Sequence, residues 1–193
     1  MGTPLMNKQQ IIDNLKLLGE ELAALELTQP VRLLMIGGGY MLTQIGNRPF
    51  TEDVDVFTRL DKYTEDYRRF RAAIHFIADD ARISQKWVAD NIGDFMELLG
   101  PVPEGKLWLK QGLLEVYVPE PQYILLLKLV AGRDKDLHDI QALCRKLRIK
   151  KRDQAEAWLR KYTIKYRFDE QMLEDYRETI QTILDKAFGI RKS

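Results

Sequence analysis

Cysteine is nearly absent from this chain, with Cys144 the one thiol among 193 residues. A single thiol excludes an internal disulfide and a thiolate zinc cluster. In "DIQALCRKL" it falls on the apolar side of a helical pattern. Histidine is almost as scarce, limited to His75 and His138, so a site built on imidazole ligands is not expected. Any metal would then have to be held by carboxylates, which selects magnesium or manganese. No apolar run approaches the roughly 20 residues that span a bilayer. The opening "MGTPLMNKQQ" lacks the apolar core of a signal peptide. It also misses the myristoylation pattern, because Met6 stands where Ser or Thr is required. The chain carries no internal repeat and no low-complexity linker. These absences lead us to expect a cytoplasmic protein with no membrane association.

What is present is an ordinary globular composition, 45% hydrophobic and 31% charged, enough to bury a core. Residues 8 to 27 carry Ile11, Ile12, Leu15, Leu18, Leu22 and Leu25 at helical spacing. "VRLLMI" (31 to 36) reads as a buried strand, "YMLTQIG" as a short helix closed by Gly46, and "DVDVF" as a strand with one polar face. A further amphipathic helix is expected over 61 to 81. A helix or loop-helix is expected over 84 to 100, and a strand pair in "KLWLKQGLLEVYV". Beyond Pro119 and Pro121 the chain is helical to its end. This order predicts an α+β (α/β) head with a small sheet, followed by a helical C-terminal region. The net charge of +1 is unevenly spread. Between Arg145 and Arg167 ten basic residues face two acidic ones, interleaved with Trp158, Tyr162 and Tyr166. Such a run is either a solvated helix face or an RNA-binding stretch.

Chemistry concentrates in "MIGGGYMLTQIGNRPFTEDVDVF". Gly37, Gly38 and Gly39 follow a strand and precede a helix, where bare backbone N–H groups can meet a phosphate or simply form a tight turn. Leu42 stands where a dinucleotide fingerprint needs glycine, and no Gly-Lys-Ser/Thr follows, so this is neither that fingerprint nor a P-loop. Asp53 and Asp55, two residues apart on a strand, share a face with a spacing of roughly 6.6 Å. They can converge on one divalent ion or hold a pair of ions, or they can be a solvated strand face.

Taken together, Gly37-Gly38, a short helix, and Arg48-x-x-Thr51-x-Asp53-x-Asp55 resemble the signature of the nucleotidyltransferase superfamily with the DNA polymerase β-like fold. More narrowly they resemble its minimal, AbiEii-like members, several of which are toxins of toxin–antitoxin pairs. A second block, "LLLKLVAGRDKDLHDIQAL", is similar to the later element of that group at Lys128, Arg133, Asp136 and Asp139. "KWVADNI" is loosely similar to a tryptophan element of these relatives. The resemblance covers about residues 30 to 143.

It implies a minimal polymerase β-like head over 30–143, with an N-terminal helix (1–29) packed on it and a helical region over 144–193. It implies transfer of a nucleoside monophosphate from NTP to a hydroxyl with release of pyrophosphate, dependent on Mg²⁺ or Mn²⁺. Asp53 and Asp55 would be metal ligands, with Glu115 as a third carboxylate if it is not simply a solvent-facing residue of an edge strand. Gly37, Gly38 and Gly39 would cradle phosphates, with Arg48 and Thr51 beside them. Lys128 and Arg133 would act on phosphate, while Asp136 and Asp139 would orient them or form a second acidic element. The acceptor would be RNA, including tRNA, through 145–167, or a protein hydroxyl. A cognate antitoxin would be a partner if the chain is a toxin. The alternative is a degenerate member that binds nucleotide or serves as an antitoxin or scaffold. Relatives often carry a serine after the first glycines, where this chain has Gly39 and then Tyr40.

Overall fold

The computed structural model describes residues 4–168 and 170–190. Residues 1–3 and 191–193 lie outside the described residues, as does Asp169 at the start of the last helical stretch. The protein is α+β, built on a five-stranded mixed sheet. Its contacts divide it into two compact units, residues 1–93 with 104–119, and residues 94–103 with 120–193. The division falls at 119/120 rather than at the expected 143/144, and the N-terminal helix belongs within the first unit.

In the first unit, helix α1 (Lys8–Ala24) opens on a capping box in which Asn7 and Gln10 satisfy each other's backbone N–H groups. Strand β1 (Val31–Met35) leads into the short helix α2 (Gly37–Tyr40), extended by a wider π turn to Ile45 and ended by left-handed Gly46. Strand β2 (Val54–Phe57) follows. Helix α3 (Glu65–Ala81) is capped by Thr64, whose Oγ1 accepts from Tyr67 N–H. Strand β3 (Val88–Ala89) is only two residues long, too short to carry an alternation that the sequence could reveal. Strands β4 (Lys106–Gln111) and β5 (Leu114–Val118) form the expected pair.

The strand order is β3-β2-β1-β5-β4, with β1 antiparallel to β2 and parallel to β5. One sheet face, carrying Val31, Leu33, Met35, Val54, Val56, Leu114 and Val116, is buried with the apolar stripes of α1 and α3. Alternation sends Arg32, Leu34, Asp55, Phe57, Glu115 and Tyr117 to the opposite face. Trp87 is fully buried in the core, and its indole N–H donates to the Ile74 carbonyl at 3.0 Å. Helix α1 crosses the β4–β5 turn at van der Waals distance. A Cβ added at Gly19 would fall on the Gln111 carbonyl, so no larger residue fits there.

The second unit is helical. It takes in most of α4 (Gly93–Leu99), together with α5 (Pro121–Ala131), a 3₁₀ turn (Asp134–Asp136), α6 (Leu137–Lys146), α7 (Arg152–Lys165), α8 (Glu170–Asp175) and α9 (Arg177–Ala187). Pro121 starts α5, where its missing N–H costs nothing, and left-handed Gly132 ends it. Every residue from Tyr123 to Val130 is buried. Among the described residues no helix is long and apolar enough to cross a membrane.

Candidate functional site

The β1–α2 turn and the start of β2 bring the glycines and the Arg-Thr-Asp-Asp run into one place. The N–H of Ile36 donates to the Asp55 carbonyl at 2.9 Å, which sets Asp55 level with the start of α2. Gly37 has φ +57°, a conformation that favours glycine. Its missing side chain is also required sterically, because a Cβ there would fall on the Asp55 carboxylate. A Cβ at Gly38 would fall on Thr51 Oγ1 and lie 3.4 Å from an Arg48 guanidinium nitrogen. Three of the residues singled out in the sequence, Arg48, Thr51 and Asp55, therefore meet at two adjacent glycines.

Thr51 is held in two ways. Its backbone exchanges hydrogen bonds with Met6 at 2.8 and 3.0 Å, and its hydroxyl donates to the Asp53 carbonyl at 3.1 Å. These bonds anchor the segment leading into β2, so Asp53 enters the strand with the same parity as Asp55. Both aspartates are half-buried, whereas Val54 between them is fully buried. Their oxygens are hard donors of the kind magnesium takes, beside a backbone stripped of side chains. Among the described residues no group of three or more His, Cys, Asp or Glu side chains is arranged to hold a metal ion.

Gly39 behaves differently from its neighbours. It is buried, and a Cβ there would lie 3.1 Å from Val54 Cγ1 and 3.4 Å from Met35 Sδ. A side chain at this position would point into the core, so packing accounts for the glycine.

Glu115 is not a third ligand of this cluster. Strand β5 pairs in parallel with β1 so that Glu115 faces Arg32, four residues along β1 from the level of Asp55. At about 3.3 Å per residue and 4.8 Å per strand, the two backbones are roughly 16 Å apart. The strand nearest that level ends at Val118, before Pro119. Nor is Glu115 on an edge strand, since β4 covers β5 on its other side. Its carboxylate accepts from Lys110 at 2.8 Å, from the Tyr117 hydroxyl at 2.9 Å and from Arg32 at 3.2 Å. Lys110 foremost, then Tyr117 and Arg32, hold its pKa down at about 2 against the ordinary 4.5.

In the second unit Lys128, Arg133, Asp136 and Asp139 form a cluster of their own. Lys128 Nζ lies 2.6 Å from Asp136 Oδ1 and 2.8 Å from Asp139 Oδ2, with all three side chains no more than 5% exposed. Arg133 Nε donates to the other Asp136 oxygen at 2.7 Å, with half of its side chain in solvent. Asp136 thus contacts both cations. Lys128 does not reach out toward phosphate, because two buried carboxylates hold its ammonium. Arg133 is the member of this cluster that presents charge to solvent.

The basic stretch is not one helix face. It runs from the end of α6 through a turn into α7, and Arg152 within it is tied to Asp185 and Glu156. The aromatic residues stack on one another, Trp158 on Tyr162 at 5.5 Å and Tyr162 against Tyr166 at 4.6 Å, with Tyr162 buried. They do not form an open row of stacking platforms. Asp90, the acidic position of the tryptophan segment, accepts from the Tyr67 hydroxyl at 2.9 Å and pairs with Arg71 at 3.4 Å.

No protein-family model matches the chain, and neither a curated protein nor a solved structure matches it.

Proposed function

We propose that this protein is a nucleotidyltransferase that moves a nucleoside monophosphate from NTP to a hydroxyl, with Gly37, Gly38, Arg48, Thr51, Asp53 and Asp55 as its nucleotide site. The observation that carries the reading is the packing of Gly37 on Asp55 and of Gly38 on Thr51 and Arg48. The signature residues meet in space, where their spacing in sequence required only that they be near one another. Bare backbone at 37 and 38 lets a triphosphate approach closely, and Arg48 supplies charge beside it. Asp53 and Asp55 would hold Mg²⁺, which would supply charge stabilisation at phosphate and lower the pKa of an attacking hydroxyl. The hydroxyl oxygen bonds to the α-phosphorus as the bond to pyrophosphate breaks. The acceptor is RNA or a protein hydroxyl, and a toxin role with a cognate antitoxin would follow from the resemblance in sequence.

The test supplies labelled NTPs, Mg²⁺ and either total RNA or candidate proteins to wild type, Asp53→Ala and Asp55→Ala. Labelling by wild type that is lost in both variants is expected. Undiminished labelling in both would remove the two aspartates from the site. A second reading, a catalytically degenerate nucleotide-binding or scaffold protein, is favoured by the burial of Lys128 between carboxylates and by the remote position of Glu115. It predicts no labelling with any NTP, and calorimetry with NTP and Mg²⁺ then separates a nucleotide binder from a scaffold.

A further inference from the structure

The second unit contains a cavity of about 580 Å³ at the C-terminal ends of α6 and α9. Three cationic side chains line it, Arg145, Arg148 and Lys150, over an apolar floor that includes Cys144, Ile149 and Phe188. No carboxylate lines it, and among the described residues none of the three cations makes an ion pair. The nearest acid on α9, Asp185, is already bound by Arg152. Burial pushes the Cys144 thiol up to about 11, so it remains protonated and behaves as apolar wall.

The local backbone places one of these cations in the left-handed region, as it does Arg82 and Arg167. Helix α6 ends in a Schellman motif, with Ile149 N–H donating to the Cys144 carbonyl at 2.8 Å and Arg148 N–H to the Arg145 carbonyl at 3.1 Å. The central residue of that motif is left-handed and is usually glycine. Here it is Arg148, at φ +58°. Arg145 suits the negative end of the helix, but Arg148 and Lys150 lie beyond it, so the helix dipole does not account for all three charges.

We propose that this cavity binds a nucleoside phosphate, with Arg145, Arg148 and Lys150 around the phosphate and the Phe188 ring against the base. The volume lies within the range of small-molecule sites and exceeds what a bare phosphate fills. An apolar, aromatic floor under a cationic rim suits a planar base attached to an anion. The same chemistry is presented by a free mononucleotide and by one residue of single-stranded RNA. This site is separate from the Gly37–Asp55 cluster and does not rest on catalysis there.

The test uses fluorescence polarisation with a short labelled oligouridylate, and calorimetry with AMP, on wild type, Arg148→Gly and Arg145→Ala. Arg148→Gly is the informative variant, because glycine suits the left-handed position and the fold is preserved or strengthened. Loss of one charge-assisted contact weakens binding about tenfold or more in each variant. Binding of AMP that also displaces the oligomer assigns the pocket to free nucleotide. Binding of the oligomer alone, with affinity falling as salt is raised, assigns it to RNA. Wild-type affinity retained in both variants, or no binding of either probe by wild type, overturns the proposal. Probe binding is read without Mg²⁺ and NTP labelling is scored separately, so failure here and failure of the transferase reading are told apart.

Discussion

The carboxylate of Asp55 occupies the space that a side chain at Gly37 would need, and it does so beside a backbone in the left-handed region. Gly37→Ala therefore meets two obstacles at once, a strained φ and a displaced carboxylate. We expect it to cost about 1–3 kcal/mol in urea denaturation and to abolish nucleotide labelling. A variant as stable and as active as wild type would show that this contact is not part of a working site.

Lys128 sits between two buried carboxylates, so Lys128→Ala removes the cation that they share. The expected loss is about 3–5 kcal/mol by chemical denaturation. Arg133→Ala, removing a half-exposed partner of Asp136, is expected to cost no more than about 1 kcal/mol. Comparable losses for the two would contradict the buried-triad assignment.

Glu115 links the face of the sheet to acid sensitivity. Its carboxyl titrates at 4.5 when unperturbed and at about 2 in the folded protein, held down chiefly by Lys110. A depressed folded pKa contributes stability in full above 4.5 and loses it as pH falls toward about 2. Thermal melts of Glu115→Gln across that window should therefore show a shallower decline than wild type. Parallel declines would mean that the Arg32–Lys110–Tyr117 network does not form in solution.

Tyr123 is 1% exposed, and its hydroxyl has no hydrogen-bond partner among the described residues. Burial alone pushes its pKa up. Tyr123→Phe removes an unsatisfied group without opening a cavity, so stability should hold or rise by about 1 kcal/mol. A marked drop in melting temperature would reveal a partner for that hydroxyl.

Much of the fold was legible in the sequence because its signals are local. The apolar spacing from Ile11 to Leu22 matches α1, "VRLLMI" matches β1, and the alternation in "DVDVF" put Asp55 on the face opposite Val54 and Val56. The glycine cluster was legible for the same reason. Gly37, Gly38, Arg48, Thr51, Asp53 and Asp55 lie within nineteen residues, and one strand–helix–strand passage is enough to bring them together.

What the chain determined by itself, then, is which segments are helix or strand and which side chains share a face, since periodicity depends only on neighbours along the backbone. Tertiary structure alone decided depth and register. The parallel pairing of β1 with β5 put Glu115 level with Arg32, far from Asp55. The 3₁₀ turn and α6 closed Asp136 and Asp139 over Lys128, turning an expected phosphate contact into a buried ion-pair cluster. The meeting of α6 and α9 made a pocket from Arg148 and Phe188, forty residues apart. Such outcomes depend on partners distant in sequence, and only the packed fold selects them.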